Sequence, residues 1–262
     1  MKFCRFLPAD SISLKPAFAL FGLIEGEQIR EISGPPWAQW SQGSRIWRVE
    51  NVRLLAPVEP GKIVCIGRNY AAHAAELGNE IPKEPLMFLK APSSAIGPEE
   101  PIVLTRFSEH VDHEGELAVI IGKRCSQLHD TDDALEYILG YSCLNDVTAR
   151  DLQKKDVQFT RSKSFDTFCP IGPHVETDIN PADVLVETRV NGETRQSGNT
   201  SLMIYPVAFL VRWISQMMTL NPGDVIATGT PAGVGPLKPG DTVEVKIAGI
   251  GVLRNPVQAP KA

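Results

Sequence analysis

Leu117 to Ile121 is an unbroken apolar run, LAVII, entered through Glu114-Gly115-Glu116 and closed by Gly122. A run this short, rich in β-branched residues and bounded by glycines, reads as a buried strand. It commits the chain to a sheet-built core. The rest of the sequence agrees: short apolar runs alternate with turn residues, and the 21 glycines and 21 prolines fall at most of their junctions.

Around that core the chain divides. Residues 1–59 read as a small β-rich leading domain, in which FALFGLIEGEQIREI is a strand, a glycine turn and a strand, and GPPWAQWSQGSRIW is irregular. Residues 60–262 read as the main domain, with the border at Pro60-Gly61. Two helices are expected in the second half. Thr131-Asp132-Asp133 caps a short one that runs through Leu135 and Ile138. Pro206 opens the other, whose stripe is Val207, Leu210, Val211, Ile214, Met217 and Met218. NPGDVIATGTPAGVGPLKPGDTVEVKIAG reads as a β meander with two L-x-P-G-D turns, at Leu220 and Leu237.

Composition excludes several classes. A net charge of -5 lacks the basic footprint of a nucleic-acid binder. No stretch reaches the length of about 18 apolar residues that a membrane span needs. The run Phe18 to Ile24 has no cleavage site after it and reads as a strand, not a signal peptide. Cys4, Cys65, Cys125, Cys143 and Cys169 are odd in number and unpaired in spacing, so reduced thiols and a cytoplasmic location are expected.

The chemistry gathers at the strand entrance. Residues i and i+2 of a strand share a face, so Glu114 and Glu116 stand side by side and repel. Alone, such a pair is ordinarily a solvated strand end. Asp146 changes that, because it lies where a strand through Tyr141 to Leu144 ends and a helix begins. Three carboxylates suit a hard divalent cation such as Mg²⁺. A zinc triad of His110, His113 and Glu116 is the competing arrangement, but His113 and Glu116 point to opposite faces of a strand. In AAHAAEL, His73 and Glu76 share a helical face, the pairing of a general base with the carboxylate that orients it, or a surface pair of no consequence. Lys163, in FTRSKSFDTFCPIGP, is a candidate for stabilising an enolate or a carboxylate beside the metal, or a solvated lysine.

GRNYAAHAAE, PLMFLKAPSSAI, DHEGELAVIIGK, NDVTARDLQ, SKSFDTFCPIGP, VNGETRQSGNT and VIATGTPAGVG occur in this order. Together they resemble the catalytic domain of the fumarylacetoacetate hydrolase family, over residues 60 to 257. The resemblance implies a β-rich α+β fold, a β-roll or barrel-like sandwich with a small N-terminal domain, in a homodimer. It implies Mg²⁺ or Mn²⁺ on Glu114, Glu116 and Asp146, with Ca²⁺ as an alternative occupant in crystals. It implies His73, Glu76 and Lys163 as catalytic residues, and substrate contacts from Arg68, Asn69, Tyr70, Arg150, Gln153 and Thr230. The implied substrate is a 2-oxo (β-diketo) acid, of the kind met in aromatic catabolism. The expected reaction is C–C hydrolysis of an acylpyruvate- or fumarylpyruvate-like compound through a metal-stabilised enolate. Decarboxylation of an oxaloacetate-like acid and isomerisation of a hydroxymuconate-like acid are the alternatives on the same site. A non-catalytic, metal-stabilised binding protein is the alternative of another class.

Overall fold

A computed structural model describes residues 1–8 and 19–260. Among these residues, the strands form sheets of twelve, five and three. The path of the largest sheet runs Gln42–Arg48, Gln28–Ile32, Leu20–Glu25, Lys2–Pro8, Cys169–Glu176, Ile138–Asn145, Gly115–Ile121, Val225–Ala227, Ile63–Gly67, Leu86–Lys90. The leading strands therefore extend the main sheet, with Lys2 and Phe3 paired to Glu176 and Val175. The smaller sheet runs Glu193–Asn199, Leu185–Val190, Thr242–Ile247, Gly251–Gln258, Ile102–Val103.

The central strand Gly115–Ile121 is buried along its whole length. Leu117, Val119 and Ile121 pack towards Val186, Val245, Ile247 and the helix Val207–Met217. Ala118 and Ile120 pack the other way, against Ile63, Cys65, Leu144 and Ile171. A strand covered on both faces needs no polar alternation, which is why LAVII is continuous. Each fully buried Leu, Ile or Val contributes about 1.5–3 kcal/mol.

Several local expectations need correction. The chain over 131–138 makes only a short 3₁₀ turn, Ala134–Tyr137, and Ile138 already begins a strand. Its cap is Asp133 alone, which accepts from the Leu135 N–H at 3.0 Å. The long helix begins at Val207, with Pro206 outside it as the capping residue, and Met217 turns to solvent. Gln42–Arg48 is a strand, not irregular chain; it is an exposed sheet edge, so burial imposes no apolar alternation on it. Residues 221–249 are not a meander. Val225–Ala227 lies in the large sheet between Gly115–Ile121 and Ile63–Gly67, whereas Thr242–Ile247 lies in the five-stranded sheet. TGTPAGVG is the crossing between sheets. The two P-G-D turns are alike: Asp224 and Asp241 accept from the N–H of Asn221 and Lys238, each at 2.7 Å. Pro16 and Phe18 lie outside the described residues.

One buried side chain near the leading strands gives the fold a pH dependence. His174, on the strand that receives Lys2–Pro8, is buried and its Nε2 has no partner among the described residues. Burial, helped by Lys2, lowers its pKa from 6.5 to about 4. The unfolded chain therefore takes up a proton below pH 6.5 that the folded chain refuses, so stability falls between pH 6.5 and about 4. His174→Gln is expected to flatten this segment of a urea-denaturation pH profile by about 2–3 kcal/mol. Parallel profiles for the two proteins would refute it.

Candidate active site

The ladder between Gly115–Ile121 and Ile138–Asn145 assembles the acidic cluster. Gly115 pairs with Asn145, so the residues just beyond, Glu114 and Asp146, meet at the sheet's end. The register is pinned twice: Asn145 Oδ1 accepts from the Glu114 N–H at 2.9 Å, and the Asp146 N–H donates to the Glu114 carbonyl at 2.8 Å. Carboxylate oxygens of Glu114, Glu116 and Asp146 lie within 4.8 Å of one another, and all three residues are buried. They do not form a solvated strand end.

Three cations enter this cluster. Lys163 Nζ donates to Glu114 Oε2 at 2.7 Å and to Asp146 Oδ2 at 2.6 Å. It also lies 5.0 Å from the centre of the Phe88 ring. Lys90 Nζ donates to Asp146 Oδ1 at 2.6 Å and to the Val147 carbonyl at 3.2 Å. Arg150 pairs with Glu114, with Asp112 at 2.8 Å and with Gln153 Oε1 at 2.7 Å. Four carboxylates, counting Asp112, face three cations, and Glu116 is the one left over. Among the described residues its carboxylate accepts only the Gly229 N–H, at 2.7 Å. Burial, then Asp146 and Glu114, push its pKa well above the usual carboxylate range. Burial pushes Glu114 the same way, but Lys163 and Arg150 outweigh it and hold that carboxyl far below the usual range.

This donor set fits a hard divalent cation. It is all oxygen, its ligand atoms lie within 4.8 Å of one another, and it contains a buried carboxylate that pairs with no cation among the described residues. The zinc arrangement is not assembled. His113 Nδ1 turns away to Gln196 Oε1 at 3.1 Å, and His110 Nε2 pairs with Asp112 at 2.8 Å near the surface.

Above the cluster opens a cavity of about 460 Å³. His73 and Glu76 line it from the helix Ala71–Glu76, with His73 Nδ1 3.2 Å from Glu76 Oε2. The other Glu76 oxygen accepts the Gly233 N–H at 2.9 Å, which ties this helix to the TGTPAGVG crossing. Arg68, Arg150, Gln153 and Thr230 also line the cavity. The Arg68 guanidinium has no partner among the described residues. Two expected substrate contacts, Asn69 and Tyr70, do not line the cavity. The Asn69 amide is spent on the backbone of Tyr205 and Thr228, and it joins the segment before the helix to the strand end at Thr228. Tyr70 is buried, its hydroxyl without a partner among the described residues, and it lies near enough to the cluster that burial and then the Glu116 charge raise its pKa.

Residues 62–258 match the model of the fumarylacetoacetate hydrolase C-terminal domain, and residues 1–57 match that of the Rv2993c-like N-terminal domain. The chain belongs to the fumarylacetoacetate hydrolase family. Its fold neighbours include the crystal structure of 5-carboxymethyl-2-hydroxymuconate delta-isomerase from Mycobacterium smegmatis. That structure is 44% identical, with a TM-score of 0.89 over 99% of this chain and 100% of that one. Fumarylacetoacetate hydrolase from Exiguobacterium antarcticum is 42% identical, with a TM-score of 0.81 over 99% of both chains. Oxaloacetate tautomerase of Bacillus subtilis is 43% identical over 242 residues, 84% of this chain and 80% of that one. Fumarylacetoacetate hydrolase family members with named activities thus run different reactions.

Sequence reasoning missed Lys90 and Gln196. Both lie inside stretches that carry the family resemblance, PLMFLKAPSSAI and VNGETRQSGNT, but neither is given a role there: Lys90 closes the apolar strand LMFLK and Gln196 sits in a mostly exposed hairpin arm.

Proposed function

We propose that the protein is a divalent-metal-dependent enzyme that moves a proton at C3 of a short 2-oxo diacid, interconverting its keto and enol forms. The observation that carries this reading is the His73–Glu76 pair lining the same cavity as the Glu114, Glu116 and Asp146 carboxylates. A base and a cation site sharing one small chamber are what removal of a proton beside a carbonyl requires. The similarity to an oxaloacetate tautomerase supports the same reading.

A divalent ion on the three carboxylates would supply positive charge for the 2-oxo group and the adjoining carboxylate. The chain's own residues do the rest. Glu76 holds the Nδ1 proton of His73, so Nε2 is left to take the proton from C3 and return it at the enol oxygen or carbon. Lys163 keeps its proton: burial acts against the charge, but Asp146 and Glu114 outweigh it and raise its pKa. Its ammonium therefore stays as a hydrogen-bond donor to oxygen at the cage's edge. Arg68, uncommitted on the cavity wall, is the group available for the second carboxylate. Leu86, Phe88 and Phe159 line an apolar side of the cavity.

That apolar side favours a second reading. A four-carbon diacid does not need it, and an acyl chain would occupy it. With water in place of the C3 proton as the partner of His73, the same site would hydrolyse an acylpyruvate. A panel of oxaloacetate, acylpyruvates and hydroxymuconate-type diacids, run with Mn²⁺ and again with EDTA, separates the two. Enol absorbance, pyruvate and CO₂ are followed independently. Keto–enol conversion of oxaloacetate is expected to be the fastest process and to stop with EDTA. Stoichiometric pyruvate from acylpyruvates at a higher rate would establish hydrolysis instead. Full turnover in EDTA would sink both.

A further inference from the structure

The crossing that carries Thr230 is shaped from outside by one strand, Glu193–Asn199, at the edge of the five-stranded sheet. Two glycines record how closely they fit. A Cβ on Gly233, which has φ +102°, would lie 2.0 Å from the Arg195 carbonyl oxygen. A Cβ on Gly198 would lie 2.5 Å from Pro231 Cβ.

Between these contacts sits Gln196, fully buried, with every position of its carboxamide in use. Oε1 accepts the Gly115 N–H at 2.9 Å and faces His113 Nδ1 at 3.1 Å. Nε2 donates to Thr230 Oγ1 and to the Pro231 carbonyl, each at 2.7 Å. Thr230 Oγ1 then donates to the Gly115 carbonyl at 2.8 Å. Both peptide groups of Gly115 are therefore fixed, one by Gln196 directly and one through Thr230. These are the peptides that join Glu114 to Glu116. Gly115 cannot back away, since even a Cβ there would come within 2.0 Å of Thr188 Oγ1. Three residues beyond Thr230, the Gly233 N–H holds Glu76.

We infer that Gln196 is a positioning residue of this site. Its carboxamide sets the spacing and aim of Glu114 and Glu116, and it locks that spacing to the crossing that orients the His73–Glu76 pair. It does not line the cavity. Only a carboxamide can accept from two donors on one side and donate to two acceptors on the other. The inference rests on the metal-dependent reading given above.

The test uses the purified full chain and two variants. Gln196→Glu keeps the shape and loses both donated hydrogen bonds. Gln196→Met keeps the volume and loses all four contacts. Mn²⁺ binding by titration calorimetry, kcat and KM for oxaloacetate at saturating Mn²⁺, and Tm are measured on each. Both variants are expected to bind Mn²⁺ about 10–100-fold more weakly, as the loss of a group that orients metal ligands does. At saturating Mn²⁺, kcat is expected to fall about tenfold or more, with KM nearly unchanged. Variants that match the wild type in Mn²⁺ affinity and kcat, whatever their Tm, would reduce Gln196 to packing. If the Met variant does not fold, the isosteric Glu variant decides. Wild-type protein that binds Mn²⁺ but turns over no 2-oxo diacid overturns the proposed reaction and leaves this test standing on affinity. Wild-type protein that binds no Mn²⁺ overturns both.

Discussion

Glu116→Gln is expected to move stability and metal binding in opposite directions. Among the described residues Glu116 is the carboxylate of the cluster that pairs with no cation, buried beside two others and supported by one backbone N–H. Such a group strains the metal-free fold, because burial and like charge both oppose its ionised form. An amide of the same shape removes the charge and still accepts from Gly229. The metal-free variant is therefore expected to melt at or above the temperature of the wild type. Its Mn²⁺ affinity is expected to drop at least about a hundredfold, more than the loss of an outer-shell partner costs. Turnover should fall with it. The two measurements together are the check. A variant that loses stability and keeps Mn²⁺ would mean that Glu116 is a structural group, with its needs met by the protein alone. Added Mn²⁺ should raise the Tm of the wild type and leave that of the variant unmoved, since a ligand stabilises only the state that binds it.

The parts of this site that were legible in the sequence are those set by local periodicity. The E-x-E spacing places Glu114 and Glu116 on one face with no knowledge of the partner strand, and the i, i+3 spacing does the same for His73 and Glu76. Asp146 needed one further step, the end of an apolar strand, and the ladder to Gly115–Ile121 supplies its position. Lys90 and Gln196 obey no such rule. Their partners lie 56 and as many as 83 residues away, and nothing in the local pattern of either strand points to them. The crossing at TGTPAGVG was misread for a related reason. Its turn residues fit a hairpin as well as a jump between sheets, and only the parallel pairing of Val225–Ala227 with Ile63–Gly67 distinguishes the two. The exposed edge strand Gln42–Arg48 was unreadable because a strand that buries neither face carries no alternation.

His73→Ala should separate chemistry from chelation. Oxalate presents two adjacent carboxylate groups, the same pattern as the 2-oxo acid end of the proposed substrate, and has no proton for a base to remove. On the proposed reading it would be held by the divalent ion on Glu114, Glu116 and Asp146, with the Lys163 ammonium beside it. Among the described residues the side-chain partner of His73, on the helix Ala71–Glu76, is Glu76, and Lys163 is held by Glu114 and Asp146. The variant is therefore expected to bind oxalate within about threefold of the wild type while kcat for keto–enol conversion falls about 10²–10⁴-fold, the usual contribution of a positioned base. Glu76→Gln should fall between them. Its single amide oxygen can still accept the Gly233 N–H or the Nδ1 proton, but not both, as the two carboxylate oxygens do. Equal losses of oxalate affinity and turnover in His73→Ala would assign the helix a positioning role, because removal of the imidazole would then have disturbed the chamber and not the proton. Loss confined to turnover, with the Glu76 variant intermediate, would support proton transfer through His73.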